Sequence, residues 1–511
     1  MTLSLLIFLP ALGALALSVL PLRPNVARWV ALLFSLASGA VSLALLAGFN
    51  PAAAGFQFVE AMPWIPAYDI GYRVGVDGIS IWLVLLTNLI FPLAIFYSFQ
   101  AVRERESAYY RMFLLMQTAT LGVFLSLDLF LFYVFWEFAL VPMYFIIGIW
   151  GGARRVYAAL KFFLFTMAGS VLMLLGILYI GSTGGTFDLV ALQKANLWSA
   201  SLPLFAVFTL AFAIKVPLWP LHTWLPDAHV EAPTAGSVVL AAVLLKMGTY
   251  GLLRFDLGLF AEASRVAAPV MMTLAVIGIL YGAIVAFAQS DAKKLVAYSS
   301  VSHMGYVVLG LFALNSLGAQ GALLQMLNHG LSTGGLFLAI GFIYERLHTR
   351  EMGNMGGLWA RMPLYGTLTL LLVLSSVGLP ALNGFVGEFV ILQGAFLANP
   401  VATAFAAFGM VLSAVYLLTL FQKMFLGKGR EADQSDHPHA AAHDAAHGGA
   451  HGGAHGSATA PALADLTRRE VAVVVPLIVL CFVIGLASTP FFDLMRASVS
   501  ALFPAGVAGL P

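Results

Sequence analysis

The sequence predicts an all-α polytopic membrane protein, and three observations carry that prediction. Of 511 residues, 61% are hydrophobic and 9% charged, against about a quarter charged in an ordinary soluble domain. The mean hydropathy is +0.94, so lipid must take up apolar surface that water would not tolerate. Apolar runs of about 20 residues, long enough to cross a bilayer, follow one another along the chain. The same composition excludes other classes. With 25 Lys+Arg against 23 Asp+Glu, there is no basic surplus of the kind nucleic-acid phosphates require. The single cysteine, Cys481, supports neither an intramolecular disulfide nor a thiolate-held zinc or iron–sulfur centre. Electron chemistry is therefore expected on another chain.

The first run, 2–20, has no Lys or Arg before it, and Arg23 and Arg28 follow it. A secretory signal has the opposite order, so this run reads as a retained helix that starts outside and ends at the cytoplasm. The next runs fall near 28–49, 78–100, 111–127, 129–149, 157–181 and 203–225. Seven more fall near 234–253, 266–288, 293–314, 319–344, 364–396, 401–426 and 470–488, making about fourteen spans. An even count puts both ends on one side, and cytoplasmic loops collect Lys and Arg. Alternate loops, beginning with the first, carry Arg23, Arg28, Arg103, Arg105, Arg111, Arg154, Arg155, Lys293, Lys294, Arg346, Arg350, Arg361, Lys428, Arg430, Arg468 and Arg469. The opposite set carries Arg73, Lys194, Arg254, Arg265 and Arg496. Both termini are expected outside the cytoplasm, on the periplasmic side of a bacterial inner membrane. Lys161 and Lys423 sit inside apolar runs but near their ends, where a long side chain reaches the interface; for Lys161 a buried role stays open.

Four charges have no such escape. Lys246, in PTAGSVVLAAVLLKMGTYGLLR, stands roughly 20 Å of helix from Pro233 and about 12 Å from Arg254. Glu137, in LFLFYVFWEFALVPMYF, is about 13 Å from Asp128 and about 25 Å from Arg154 by the same measure. Lys215 and Glu388 complete a set of two bases and two acids at membrane depth. Each costs about 2.5–3.5 kcal/mol on insertion scales, so the set demands partners or water. One reading is a set of static ion pairs that lock helices together; the other is an ion or proton pathway. Helix breakage favours the pathway. Pro217, Pro220 and Pro226 follow Lys215, and Gly378, Pro380 and Gly384 precede Glu388. Irregular backbone at that depth survives only where protein covers it or a wet cavity adjoins it. Two interrupted segments in comparable places of two halves mark the ion site of inverted-repeat transporters, although no residue-level repeat is visible.

The histidines fall into separate groups. His303, in AYSSVSHMGYVVLG, and His329, in LLQMLNHGLSTGGLF, have hydroxyl or amide neighbours at helical spacing. They either relay a proton, as a pKa near 6.5 allows, or are simply satisfied by those neighbours. His222 and His229, in PLHTWLPDAHVEAP, suit proton uptake or ordinary loop hydrogen bonding. No duplicated pair of the kind that holds haem is evident. His437, His439, His443, His447, His451 and His455 lie in a Gly/Ala-rich tract between the last two spans. Such tracts can bind divalent metal, but the low complexity favours a solvated insertion, and no metal site is assigned.

The runs LFYVFWEFALVPMYFIIGIWGG, AFAIKVPLWPLHTWLPDAHVEAPTAGSVVLAAVLLKMGTYGLLR, DAKKLVAYSSVSHMGYVVLG and GLPALNGFVGEF closely resemble the antiporter-like subunits of respiratory complex I. The resemblance covers nearly the whole chain, and KVPLWPLHTWLPDAHVEAP is specific to a superfamily that includes sodium/proton antiporter and membrane hydrogenase subunits. Glu388 stands where most members carry Lys. The His-rich tract departs from the common pattern.

The resemblance implies two inverted five-helix repeats with broken helices 7 and 12. On that reading 1–110 holds helices 1–3, 111–255 the first repeat, 256–426 the second, 427–468 the His-rich loop, and 469–511 helix 14 and a tail. It further implies that Glu137 partners Lys215, Lys246 is the central relay, His303 and His329 carry the path onward, and Glu388 is the exit-side group. The chain would translocate protons as a subunit of NADH:quinone oxidoreductase, beside other membrane-arm subunits in the lipid bilayer. It would hold no cofactor itself, with FMN, iron–sulfur clusters and quinone on partner subunits. A Glu and a Lys about 4 Å apart interact by about 4 kcal/mol at an effective dielectric near 20, close to the roughly 3.5 kcal/mol needed to move one charge across 150 mV. Two other readings stay open: a sodium/proton antiporter subunit using the same acid and lysine, and a purely structural membrane subunit.

Overall fold

The computed structural model describes residues 1–427 and 463–503; the six clustered histidines, His437 to His455, lie outside the described residues. Helices dominate, as the apolar runs predict. In chain order, those of seven residues or more are α1 (Thr2–Val19), α2 (Pro24–Ala47), α3 (Ser80–Ala101), α4 (Glu106–Leu125), α5 (Leu129–Trp150), α6 (Arg155–Gly184), α7 (Leu189–Ala195), α8 (Leu202–Lys215) and α9 (Trp224–Glu231). After these come α10 (Thr234–Leu259), α11 (Ala261–Phe287), α12 (Ala292–Phe312), α13 (Ser316–Leu347), α14 (Pro363–Val377), α15 (Asn383–Ala398), α16 (Pro400–Phe425), α17 (Arg468–Leu486) and α18 (Thr489–Ala501). Among the described residues, 11 helices are long and apolar enough to cross a membrane. The other three expected runs fall on α4, on the pair α8/α9 and on the pair α14/α15.

Three local features depart from the expected pattern. Residues Gln57–Ile65 (β1) and Ile70–Val76 (β2) form an antiparallel hairpin that the apolar runs did not announce. Its strands are short and partly polar, so they leave no 20-residue signature. α10 is not a regular helix: π-helical turns at Leu240–Leu244 and Leu252–Asp256 bracket Lys246. Such insertions are rare and concentrate at functional sites. The tail after α17 contains α18, whose Ser498 hydroxyl accepts the Gly78 amide at 2.9 Å.

Contacts between connections sort them onto two faces. On the first, Glu60 accepts the Leu3 amide at 2.8 Å. Arg73 pairs with Asp128 at 3.0 Å and Asp188 at 3.4 Å. Asp77 pairs with Arg254 at 2.7 Å in a fully buried contact. On the second face, the Trp150 indole donates to the Glu104 carbonyl at 2.8 Å, and Glu231 caps the Arg154 amide at 2.8 Å. Arg346 forks onto both oxygens of Glu470 at 2.7 and 2.8 Å. These are the two alternating loop sets of the sequence. Two members of those sets are not loop charges, however. Lys293 and Arg254 are buried; the Lys293 ammonium donates to the Ala232 carbonyl at 2.6 Å.

Candidate functional site

The first interrupted segment follows from its prolines. Pro217 and Pro220 offer no amide hydrogen, and α8 stops at Lys215. The indole of Trp224, at the start of α9, reaches back and donates to the freed Ile214 carbonyl at 2.8 Å. Lys215 is buried at this helix end, its ammonium 5.4 Å from the Trp136 ring centroid and 5.6 Å from that of Phe162. Ammonium over aromatic faces is favourable, more so when desolvated. Glu137 lies one residue from Trp136 on α5 and acts on Lys215 electrostatically, yet no ion pair within 4 Å joins them. Glu137 is half-buried; its Oε1 makes no hydrogen bond, and its nearest polar neighbour on α5 is Tyr133. The contact energy weighed from the sequence is thus not made in this conformation. Lys161, nearly two turns into α6, does not snorkel freely: it binds Asp227 at 2.6 Å.

The second interrupted segment lies between α14 and α15. Gly378 ends α14 with φ +85°, a left-handed conformation that glycine adopts without a Cβ penalty. Asn383 opens α15 and its side-chain oxygen accepts the Ser375 hydroxyl at 2.5 Å, closing the break. One turn further on, Glu388 is buried with 1% exposure.

Between the two breaks runs a line of buried ionisable groups. Lys246 has 0% exposure. Its ammonium donates to the Ala241 carbonyl at 2.6 Å, within the widened turn, and lies 2.6 Å from His329 Nδ1 on α13. The His329 ring is 6.0 Å, centroid to centroid, from the His303 ring on α12. His303 Nδ1 is 2.7 Å from Glu388 Oε1, and His303 Nε2 is 3.3 Å from the Tyr416 hydroxyl. Four residues singled out from the sequence, Lys246, His329, His303 and Glu388, therefore meet on four helices. Lys215 and Glu137 stand apart from that line, at the other break. Chemically, each member of the line is a titratable group, and all four are buried.

His229 was the least distinguished histidine in sequence, being one of two in a loop-like stretch. It is fully buried in α9, stacks on Phe337 with centroids 4.5 Å apart, and neither ring nitrogen has a hydrogen-bond partner. Both Lys246 and Lys293 lie within its electrostatic reach. Its helical setting between two prolines was the only available signal. Lys293 and Glu231 line a cavity of 190 Å³ on the second face, with Arg350, Pro233 and Gly341. Among the described residues no cluster of three or more His, Cys, Asp or Glu is arranged to hold a metal ion.

Two broken helices around an enclosed line of ionisable groups define an antiporter-like, multi-pass membrane protein. The family described as "NADH:quinone oxidoreductase/Mrp antiporter, TM" matches residues 126–413, and "NADH-ubiquinone oxidoreductase chain 4, amino terminus" matches residues 26–128. NADH-quinone oxidoreductase subunit M of Rhodobacter capsulatus is 43% identical over 519 residues, covering 98% of this chain and 96% of its own. A chain of respiratory complex I from Thermus thermophilus superposes with a TM-score of 0.86 at 33% identity, covering 100% of both chains. A chain of the Mrp complex of Dietzia sp. DQ12-45-1b shares the fold at 22% identity, with a TM-score of 0.83 over 99% of this chain and 98% of that one. The chain therefore belongs to the subunit M/chain 4 family of NADH-quinone oxidoreductases.

Proposed function

We propose that this chain is a proton-translocating membrane-arm subunit of NADH:quinone oxidoreductase, coupled to quinone reduction on other subunits. The observation that carries the proposal is the buried sequence Lys246, His329, His303, Glu388, in which hydrogen-bond contacts of 2.6 and 2.7 Å flank a histidine pair 6.0 Å apart. Membership of the subunit M family supports the same reading.

In the mechanism, Glu137 governs Lys215. With the pair separated, as here, Lys215 is held over aromatic rings rather than by a carboxylate. Approach of Glu137 would favour the charged lysine, and withdrawal would favour release of its proton. The proton passes through water to Lys246, from its ammonium to His329, across to His303, and onto Glu388. Neighbouring antiporter-like subunits supply the field that moves Glu137, and FMN, iron–sulfur clusters and quinone reside on partner chains. The chain makes fourteen crossings of a bacterial inner membrane, with the hairpin face and both termini periplasmic. Residues 111–255 and 256–426 form two inverted repeats, each with one broken helix; 1–110 and 469–511 flank them, with the His-rich loop at 427–468.

The test is Glu137→Gln in the assembled complex in native membranes. Inhibitor-sensitive NADH:quinone turnover and NADH-driven proton translocation should both fall, because the neutral amide cannot hold or release the lysine's charge. Full coupled activity removes Glu137 from the mechanism. Intact NADH coupling together with lost sodium resistance would assign the chain to sodium/proton antiport instead.

A further inference from the structure

Glu388 has two oxygens in different surroundings. Oε1 faces His303 Nδ1 at 2.7 Å and also accepts the amide of Gln325 at 3.1 Å. Oε2 is buried and has no hydrogen-bond partner. It faces the helix break: a Cβ placed on Gly378 would lie 3.7 Å from it. Gln325, on α13, is thus the neutral group that touches Glu388 on its histidine side.

Gln325 is itself held. Its amide oxygen accepts from the Asn328 amide at 3.3 Å, and Asn328 also donates to the Asn383 carbonyl at 2.7 Å. Asn383 returns a bond to the Asn328 carbonyl at 3.4 Å. Because Gln325 accepts at one end, its NH2 must point at Glu388, and the two amide orientations agree. The helix allows this approach only through Gly387: a Cβ there would sit 2.3 Å from the Gln325 oxygen and 2.7 Å from the Asn328 nitrogen. The three amides are 3% exposed or less. The three amides are joined to one another, with the Asn328 side-chain oxygen left unpartnered, and a buried network of this kind orders the groups it touches.

We propose that Gln325 is a positioning residue for proton transfer, anchored by Asn328 and Asn383 to the broken helix, which divides the work of the Glu388 carboxyl between its oxygens. Oε1 is held toward His303 to receive the proton. Oε2 is left free toward Gly378, so a half-turn of the protonated carboxyl about its Cγ–Cδ bond carries the proton to that side, where it leaves into the break, while the other oxygen takes up the Gln325 bond. The charged and titratable groups around Glu388 are His303, with Tyr416 and Tyr306 behind it and His329 beyond; none of them can replace an amide that donates to Oε1 from the α13 side. This inference rests on the relay reading of Glu388.

The experiment uses the whole complex reconstituted in proteoliposomes, with wild type, Glu388→Gln and Gln325→Met compared. Two signals are read: NADH-driven proton translocation, and the redox-induced infrared difference spectrum, in which the Glu388 carboxyl band is the one absent from Glu388→Gln. Methionine keeps the volume of glutamine and removes the donor. Gln325→Met should move the Glu388 band, since its carboxyl loses a bonded neighbour. It should also cut translocation roughly tenfold, the scale of a lost hydrogen bond to a charged group. If Gln325→Met does not assemble, Gln325→Asn, which keeps the amide but is too short to reach, is read in the same way. An unmoved band overturns the positioning role, whether or not translocation falls. Wild-type translocation in Glu388→Gln overturns the relay reading first, and the positioning role with it.

Discussion

His303 shows how much one residue carries in this fold. Its two ring nitrogens face Glu388 at 2.7 Å and Tyr416 at 3.3 Å, and its ring faces His329. Replacing it with leucine keeps the volume and removes the titratable group that, among the described residues, bridges His329 and Glu388. Removing a positioned proton-transfer group typically costs 10²–10⁴-fold. His303→Leu should therefore lower NADH-driven proton translocation by roughly a hundredfold in complex that still assembles, measured by pH-dye quenching in proteoliposomes. Lys246, Lys215, Glu137 and Glu388 were legible in sequence because a charge deep in an apolar run is conspicuous on its own. Gln325 stood out only as an amide neighbour of His329, and Asn328 did not, since an amide in a helix carries little signal until its partner is known. Lys293 was misread for a related reason. It stands between Asp291 and Lys294 at a helix start, which looks like a loop, and only the packing of Ala232 against it reveals its burial.

At the scale of elements, the prolines and glycines located both helix breaks, but not what holds them. The hairpin was invisible because its stability is tertiary: Arg73 on β2 reaches Asp69, Asp128 and Asp188 at 2.7, 3.0 and 3.4 Å. The Thr186 hydroxyl holds the Asp69 carboxyl below its ordinary value; burial opposes it, and Arg73 adds to the lowering by its hydrogen bond and its charge. The sign follows directly. A carboxyl with a lowered folded-state pKa contributes stability above the unfolded value near 3.8, and that contribution disappears as pH falls through the folded value. The contribution of Asp69 should accordingly be lost only below about pH 4, and Asp69→Asn should remove that part of the acid response, read as amide exchange over residues 57–76, while leaving the part due to Glu60, whose carboxyl is also held low. At the opposite end of the chain, α17 is tied to α13 by the Arg346–Glu470 fork, with side chains 15% and 5% exposed. Truncating one partner strands the other in a largely dry site, at a cost of about 3 kcal/mol. Arg346→Ala should release α17, with faster exchange and proteolysis at residues 463–470, while Arg346→Lys restores only part of the loss because it cannot fork.

For the whole molecule, the two faces differ in charge. The face joining the Trp150–Glu104 and Arg154–Glu231 contacts gathers most of the arginines, including Arg103, Arg105, Arg155, Arg346, Arg350 and Arg469. The hairpin face holds few cations, and two of those are engaged: Arg73 by three aspartates, Arg254 by Asp77. Cations retained in short loops set orientation, and neutralised ones weaken a face's claim further, so the arginine-rich face is expected at the cytoplasm. The fold offers a direct check. Its one cysteine, Cys481, is buried at 1% exposure, so single reporter cysteines can be read without removing it. Ala52→Cys, exposed beside the hairpin, and Glu104→Cys, exposed at the other face, sit on opposite sides. In intact cells a membrane-impermeant maleimide should label Ala52→Cys and spare Glu104→Cys; in inverted vesicles the pattern should reverse. The opposite pattern would overturn the proposed orientation, in which the hairpin face and both termini are periplasmic.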